Sequence, residues 1–145
     1  MLSGNPYNAP VSMDGTVNSF VNGLQGGHVW FYTPNGLIVG PNARFNVGSL
    51  LLTTIDPLTT PLIDPTGQVF LNGAVIPASY VRIQNGASIS ATSGGASNYA
   101  VIAAPRIEQG GTINVNGNVG LITGQSIRMN LSPSGAISYL IDVGT

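Results

Sequence analysis

Few side chains in this chain are suited to chemistry. The carboxylates are Asp14, Asp56, Asp64, Glu108 and Asp142, the cations are Arg44, Arg82, Arg106 and Arg128, and the one imidazole is His28; lysine and cysteine are absent. A Ser-His-Asp relay would have to use His28. That residue opens the run HVWFY directly after Gly26-Gly27, and no Gly-x-Ser-x-Gly elbow is present. It reads as an exposed residue at the start of a strand. Glycoside hydrolysis needs two carboxylates facing one bond. Asp56 and Asp64 flank one proline-rich stretch, but each directly precedes a proline or sits in an Asp-Pro pair that opens an ordinary turn. Convergence of Asp56, Asp64 and Glu108 within about 10 Å would favour a carbohydrate-active site. Glu108 follows Arg106 by two residues, which on a strand is the same face, so an exposed ion pair between them is expected. The calcium nonapeptide Gly-Gly-x-Gly-x-Asp does not occur, and no thiolate ligand exists. No catalytic residue, metal or cofactor is assigned. Trp30, Phe31 and Tyr32 invite comparison with a sugar-stacking platform. Strand alternation puts Phe31 on one face and Trp30 with Tyr32 on the other, and one of those faces must be core.

Composition removes other classes of partner. With 6% charged residues and a net charge of −1, the chain has no basic surface for phosphates, so nucleic acid is excluded as a partner. No basic amphipathic helix is legible, and no apolar run approaches the ~18 residues of a spanning helix. A hydrophobic content of 43% is too high for a disordered chain. The opening MLSGNPYNAP lacks the basic region and apolar run of a secretory signal. Export directed from outside this sequence, or a chain truncated at its N-terminus, is the expectation. Low charge with abundant Asn, Ser, Thr and Gly suits an extracellular β protein.

The elements that must position these residues are strands. In WFYTPNGLIVGPNARFNVGSLLLTT, residues 30–54, apolar and β-branched pieces of three to five residues are cut by TPNG, VGPN and NVGS. The same texture continues through QVFLN, YVRI, ASISA, YAVIAA, RIE, TINVN, VGLIT, SIRMN and ISYLIDV. The one helix-like pattern, DGTVNSFVNGL, is too rich in Asn and Gly and reads as strand and turn. Val29, Leu50 and Phe70 recur about 20 residues apart, as do Val101, Leu121 and Leu140, and Ile107 and Ile127. A fixed period of this length predicts an all-β repeat architecture, a parallel β-helix of about 20 residues per coil. Each coil holds three short strands, and inward side chains pile into apolar ladders. The rival is a β-sandwich, favoured by the hairpin dipeptides Asn35-Gly36, Asn72-Gly73, Asn85-Gly86 and Asn116-Gly117. Residues 1–14 read as an irregular or capping start, and 15–145 as one β-helix domain with a proline-rich excursion at 55–67.

Residues 29–54 also carry a resemblance. Val29-Trp30, Pro34-Asn35-Gly36, Gly40, Ala43-Arg44, Asn46-Val47-Gly48 and Leu50 match a pattern typical of the haemagglutination-activity domain of filamentous-haemagglutinin-like exoproteins, with Thr33 where that family has Asn. Most of residues 15–145 is similar to that domain, which in the family continues upstream. The resemblance implies a right-handed β-helix, passage unfolded through an outer-membrane transporter partner by two-partner secretion, and adhesion or biofilm roles at the cell surface, with a glycan or host receptor as ligand. It assigns Thr33, Pro34, Asn35 and Gly36 as a secretion-motif turn, and Trp30, Gly40, Asn46 and Gly48 as pattern residues. Chemically, Pro-Asn-Gly after Thr33 is a good β-turn, in which the Thr33 hydroxyl is expected to accept a backbone N–H. Stacked coils leave unpaired edges, and without lysine to guard them end-to-end self-association is expected. Two further readings stay open: a glycan-binding or polysaccharide-degrading β-helix, and a self-assembling fibre subunit.

Overall fold

Three short strands set the first coil. Val11–Met13 (β1), Thr16–Asn18 (β2) and His28–Tyr32 (β5) form three successive walls, with a small hairpin, Phe20–Val21 (β3) and Leu24–Gln25 (β4), between the second and third. In this computed structural model residues 9–56, 68–71, 73–92, 98–124, 126–131 and 137–142 are described, with backbone alone for 68–70, 126–131 and 137–142. The second coil is Leu37–Val39 (β6), Arg44–Asn46 (β7) and Ser49–Thr53 (β8). Gln68–Leu71 (β9) stands apart from the stack. The third coil is Tyr80–Ile83 (β10), Ser88–Ala91 (β11) and Asn98–Ala104 (β12), and the fourth is Arg106–Gln109 (β13), Thr112–Val115 (β14) and Gly117–Thr123 (β15). Ser126–Leu131 (β16) and Ile137–Asp142 (β17) follow.

The walls are parallel sheets ordered β1-β6-β10-β13, β2-β7-β11-β14 and β5-β8-β12-β15. The fold is therefore a parallel β-helix and not a sandwich. Strands of three to five residues suffice because the inner coils are hydrogen-bonded on both sides. Four ladders fill the bore: Val11–Leu37–Val81–Ile107, Val17–Phe45–Ile89–Ile113, Val29–Leu50–Ala100–Val119 and Phe31–Leu52–Ile102–Leu121. Their members in coils two and three are essentially inaccessible to water. Fully burying a Leu, Ile or Phe contributes about 1.5–3 kcal/mol each, so these rungs carry the stability.

The 20-residue interval is the bare coil. On the third wall, partners on coils one and two lie 21 residues apart, His28 with Ser49, and those on coils three and four 19 apart, Asn98 with Gly117, while coils two and three, separated by the excursion, are 50 apart, Leu50 with Ala100. On the other walls the spacing is 24 to 28 between coils one and two and between coils three and four, as for Thr16 with Arg44 and Ser88 with Thr112, and 44 between coils two and three, as for Arg44 with Ser88. The spans of 24 to 28 include the β3–β4 hairpin between the second and third walls of coil one, and in coil three a longer stretch of sequence between Ala91 and Asn98. Asn22 and Gly23, with φ of 53° and 77°, form the two-residue hairpin link.

The excursion begins at a neck where the Gly73 N–H donates to the Asp56 carbonyl (2.8 Å) and the Asp56 N–H to that of Ala74 (3.1 Å). Of the expected excursion at 55–67, residues 57–67 lie outside the described ones. β9 pairs antiparallel with β16, and β16 antiparallel with β17. Phe70, Ile127 and Leu140 thus keep the 20-residue interval while belonging to an antiparallel sheet, not to the ladders. Leu71 is fully buried against Leu51, Ile55, Tyr99, Val101, Ala103 and Ile122, the outward residues of the third wall. That wall is covered on both faces, which is why every residue of β8 and β12 is buried and their sequences do not alternate. The first coil starts at Val11, inside the segment read as an irregular start, because Val11–Met13 pairs with Leu37–Val39.

Candidate functional site

The Thr33–Gly36 turn joins the third wall of coil one to the first wall of coil two. The Gly36 N–H donates to the Thr33 carbonyl at 3.1 Å, closing a β-turn with Pro34 and Asn35 at its centre. The turn is locked to its neighbours by two bonds: the Thr33 N–H donates to the Thr53 carbonyl (3.0 Å), and the Gly36 carbonyl accepts from the Val11 N–H (3.0 Å). Gly36 has φ +118°, and a Cβ there would lie 3.0 Å from the Tyr80 carbonyl and 3.3 Å from Pro10 Cβ. Only glycine suits both demands.

The Thr33 side chain behaves otherwise than expected. It is 1% exposed, and its hydroxyl has no hydrogen-bond partner. The main chain already closes the turn, so the hydroxyl is buried without a task. Replacing it by an isosteric methyl removes an unpaid desolvation. Thr33→Val should raise the unfolding free energy by about 1–2 kcal/mol, readable in urea unfolding. A loss of stability of that size would show that the hydroxyl is satisfied.

Beside the turn lies an open groove of about 440 Å³ lined by Pro10, Asn35, Ile76, Ala78, Ser79 and Tyr80. The Arg82 guanidinium stands 4.8 Å from the Tyr80 ring centroid and pairs with Glu108, its register partner on the next coil. Glu108 therefore bonds across coils, and Arg106, expected as its partner, contributes only its more distant charge. The hydrogen bond from Arg82 holds the Glu108 carboxyl below its usual range. Exposed pairs of this kind contribute little to stability.

The remaining pattern residues are posts of the coil stack. The Gly40 N–H donates to the Met13 carbonyl (2.7 Å) against Asp14, whose carboxylate accepts from the backbone and side chain of Asn42 and is held below its ordinary pKa by them. Asn46 Nδ2 donates to Asn18 Oδ1 on the neighbouring coil (2.8 Å). Gly48 abuts the Gly27 backbone.

Trp30 joins a cluster that sequence reasoning missed. Trp30 Nε1 donates to the Tyr99 hydroxyl at 2.8 Å, and that hydroxyl lies 3.0 Å from His28 Nδ1, with the rings 5.4 Å apart. Indole nitrogen only donates, so the Tyr99 O–H is free to donate to an unprotonated Nδ1. The two partners come from coil one and Tyr99 from coil three. Ser49 stands between His28 and Tyr99 in register, its Oγ accepting the Tyr99 N–H at 3.1 Å, and its small side chain leaves the ring room to reach across. The legible signals were the i, i+2 spacing of His28 and Trp30 and a polar-tipped aromatic in an otherwise apolar run.

Tyr99 is 4% exposed, and burial pushes its pKa up to about 12, partly opposed by the Trp30 hydrogen bond. Its folded pKa lies above the unfolded value near 10, so stability is full below about pH 10 and falls as pH rises toward 12, by about 3 kcal/mol. Tyr32, raised by burial and by Asp56, acts in the same direction. Thermal melts of the wild type across that window should show the decline, and Tyr99→Phe should blunt it. An alkaline decline unchanged in the variant would locate it elsewhere.

Among the described residues no three His, Asp or Glu side chains are grouped to hold a metal ion. Asp64 lies outside the described residues. Asp56 forms the excursion neck through its backbone, while Glu108 is paired on the fourth coil. No protein-family model, curated protein or solved structure matches this chain.

Proposed function

We propose that this chain is a non-enzymatic structural and adhesive module of a secreted, cell-surface protein of the filamentous-haemagglutinin-like class, exported through an outer-membrane transporter by two-partner secretion. One observation carries the reading. The residues of the family pattern occupy positions that coil stacking itself demands: Gly36 and Gly48 where a side chain would strike the adjoining coil, Asn46 in a cross-coil amide bond, Trp30 in a cross-coil hydroxyl bond. Absence of cysteine and a charged content of 6% suit passage of an unfolded chain through a pore. Refolding outside can then propagate from coil to coil, as in other repeat proteins.

The test is export. The chain, fused to a signal peptide, is co-expressed with an outer-membrane transporter of the two-partner class, and medium and periplasm are assayed for it. Transporter-dependent appearance in the medium is expected. Asn35→Ala leaves the main-chain closure of the turn intact, so it should lower export without changing the melting midpoint of the purified chain. Equal distribution with and without transporter would overturn the reading.

A further inference from the structure

At one end of the stack, β13, β14 and β15 are each paired on one side only among the described residues. Their inward residues are incompletely covered: Val119 and Leu121 continue ladders that are buried at Leu50, Ala100, Leu52 and Ile102, yet are 47% and 48% exposed. At the other end β1, β2 and β5 are likewise paired on one side only among the described residues, and Val11, Val17, Val29 and Phe31 are only partly buried. The two ends complement each other. Carrying the observed register outward by one coil sets Ile107 over Val11, Ile113 over Val17, Val119 over Val29 and Leu121 over Phe31. Apolar meets apolar at every inward position. On the second wall Thr112-Ile113-Asn114 would lie against Thr16-Val17-Asn18, nearly the same tripeptide. Asn46 already donates to Asn18 Oδ1, which leaves the Asn18 amide N–H to donate to an Asn114 carbonyl oxygen in the same manner.

We infer that copies of this chain stack head to tail, with β13, β14 and β15 of one copy pairing in parallel with β1, β2 and β5 of the next. The contact is heterologous and does not close on itself, so it builds rods and not dimers. Its edges carry no lysine to block pairing. The inference deepens the structural role proposed above and is separable from it, because it concerns a second copy and not export.

Two variants block one end each. The Val11 N–H and Met13 carbonyl are spent on the second coil, so the Ser12 N–H between them faces the free edge. Ser12→Pro removes that donor without touching a bond inside the chain. Leu121→Lys places a charge in the bore at the opposite end, at a side chain half exposed in the single chain. Sedimentation velocity of the wild-type 145-residue chain should show mass rising with concentration into a series of oligomers. Each variant alone should require at least a roughly hundredfold higher concentration to associate. Mixed together, the two should form a heterodimer and stop, since each retains the end the other lacks. A wild type that stays monomeric while its circular dichroism and melt are those of a folded β protein would overturn stacking and leave the fold and the export reading untouched. Self-association of either variant alone at wild-type concentrations, with native spectra, would overturn the head-to-tail arrangement.

Discussion

Phe45→Ala should destabilise the chain by about 3–5 kcal/mol, a large share of the 5–15 kcal/mol typical of a domain. Phe45 is 1% exposed and sits in the second-wall ladder between Val17 and Ile89. Its ring meets that of Phe31, across the bore, edge-on, with centroids 6.1 Å apart and planes at 76°. The surroundings have little freedom to collapse into the space it vacates. The strands on either side of β7 are fixed by their own hydrogen bonds, and the facing ladders are fixed by theirs. Most of the cavity therefore persists, and its cost adds to the lost transfer free energy. Phe45→Leu keeps most of the volume and should cost about 1–1.5 kcal/mol. Urea unfolding with an unchanged slope measures both. A loss below about 1 kcal/mol for the alanine variant would mean that the bore is not packed around this ring.

Gly48→Ala should cost about 3 kcal/mol or more, at the upper end of overpacking effects. A Cβ at Gly48 would lie 2.6 Å from the Gly27 carbonyl oxygen, 2.7 Å from its nitrogen and 2.9 Å from the Gly26 carbonyl carbon. All three are backbone atoms, so no side chain can swing aside. The same corner is cinched by two hydrogen bonds, since the N–H groups of Gly48 and Ser49 both donate to the Gly27 carbonyl (3.1 and 2.9 Å). Relief requires coil one to lift from coil two at that corner. Hydrogen exchange should accordingly accelerate in His28–Tyr32 and leave Asn98–Ala104 protected. Gly15→Ala is the control: nothing lies within 4 Å of a Cβ there, and the change should stay within about 0.5 kcal/mol.

The sequence exposes the strands of this fold more readily than it exposes their partners. HVWFY, LIV and YVRI coincide with β5, β6 and β10, since a β-branched or aromatic run between Gly, Asn and Pro leaves little else to form. The coil length is legible too, because on the third wall coils one and two, and coils three and four, follow each other without an insertion, and only the excursion between coils two and three interrupts the interval. Phe70 and Leu140 mark where the interval fails. Distance along the chain is the same for a residue one coil on as for one on the far arm of a hairpin, and nothing in the periodicity separates the two. The cover over the third wall had a trace that the period concealed. SLLLT and NYAVIAA run apolar without alternation, which is how a strand buried on both faces reads. The first strand, VSM, was lost between Pro10 and Asp14-Gly15, where turn residues crowd a segment too short to show a pattern. Asn22-Gly23 is a hairpin signal in plain view, set within a stretch whose apolar spacing resembled a helix.

Of the candidate site, the Thr33–Gly36 turn was legible as a turn, because Pro and Gly act locally. The idle Thr33 hydroxyl was not, because its burial depends on coils far away in sequence. The bond of Trp30 and His28 to Tyr99 links residues 69 and 71 positions apart, through a gap that only Ser49 makes passable. Glu108 chose Arg82 over Arg106 for the same reason: register across coils brings a partner nearer than a neighbour on the same strand.

Parallel stacking itself is open to a direct measurement, because no native cysteine competes for a disulfide. Arg44 stands opposite Ser88 on adjacent strands of the second wall, and Asn46 opposite Ser90. Strands spaced about 4.8 Å apart put such partners within disulfide reach, whereas a shift of two residues carries the Cα atoms beyond about 7 Å. The double variant Arg44→Cys with Ser88→Cys should oxidise readily to an intramolecular disulfide, and Arg44→Cys with Ser90→Cys should not. An antiparallel pairing centred on Phe45 and Ile89 would reverse the two results, and a disulfide in the second variant but not the first would contradict the coil.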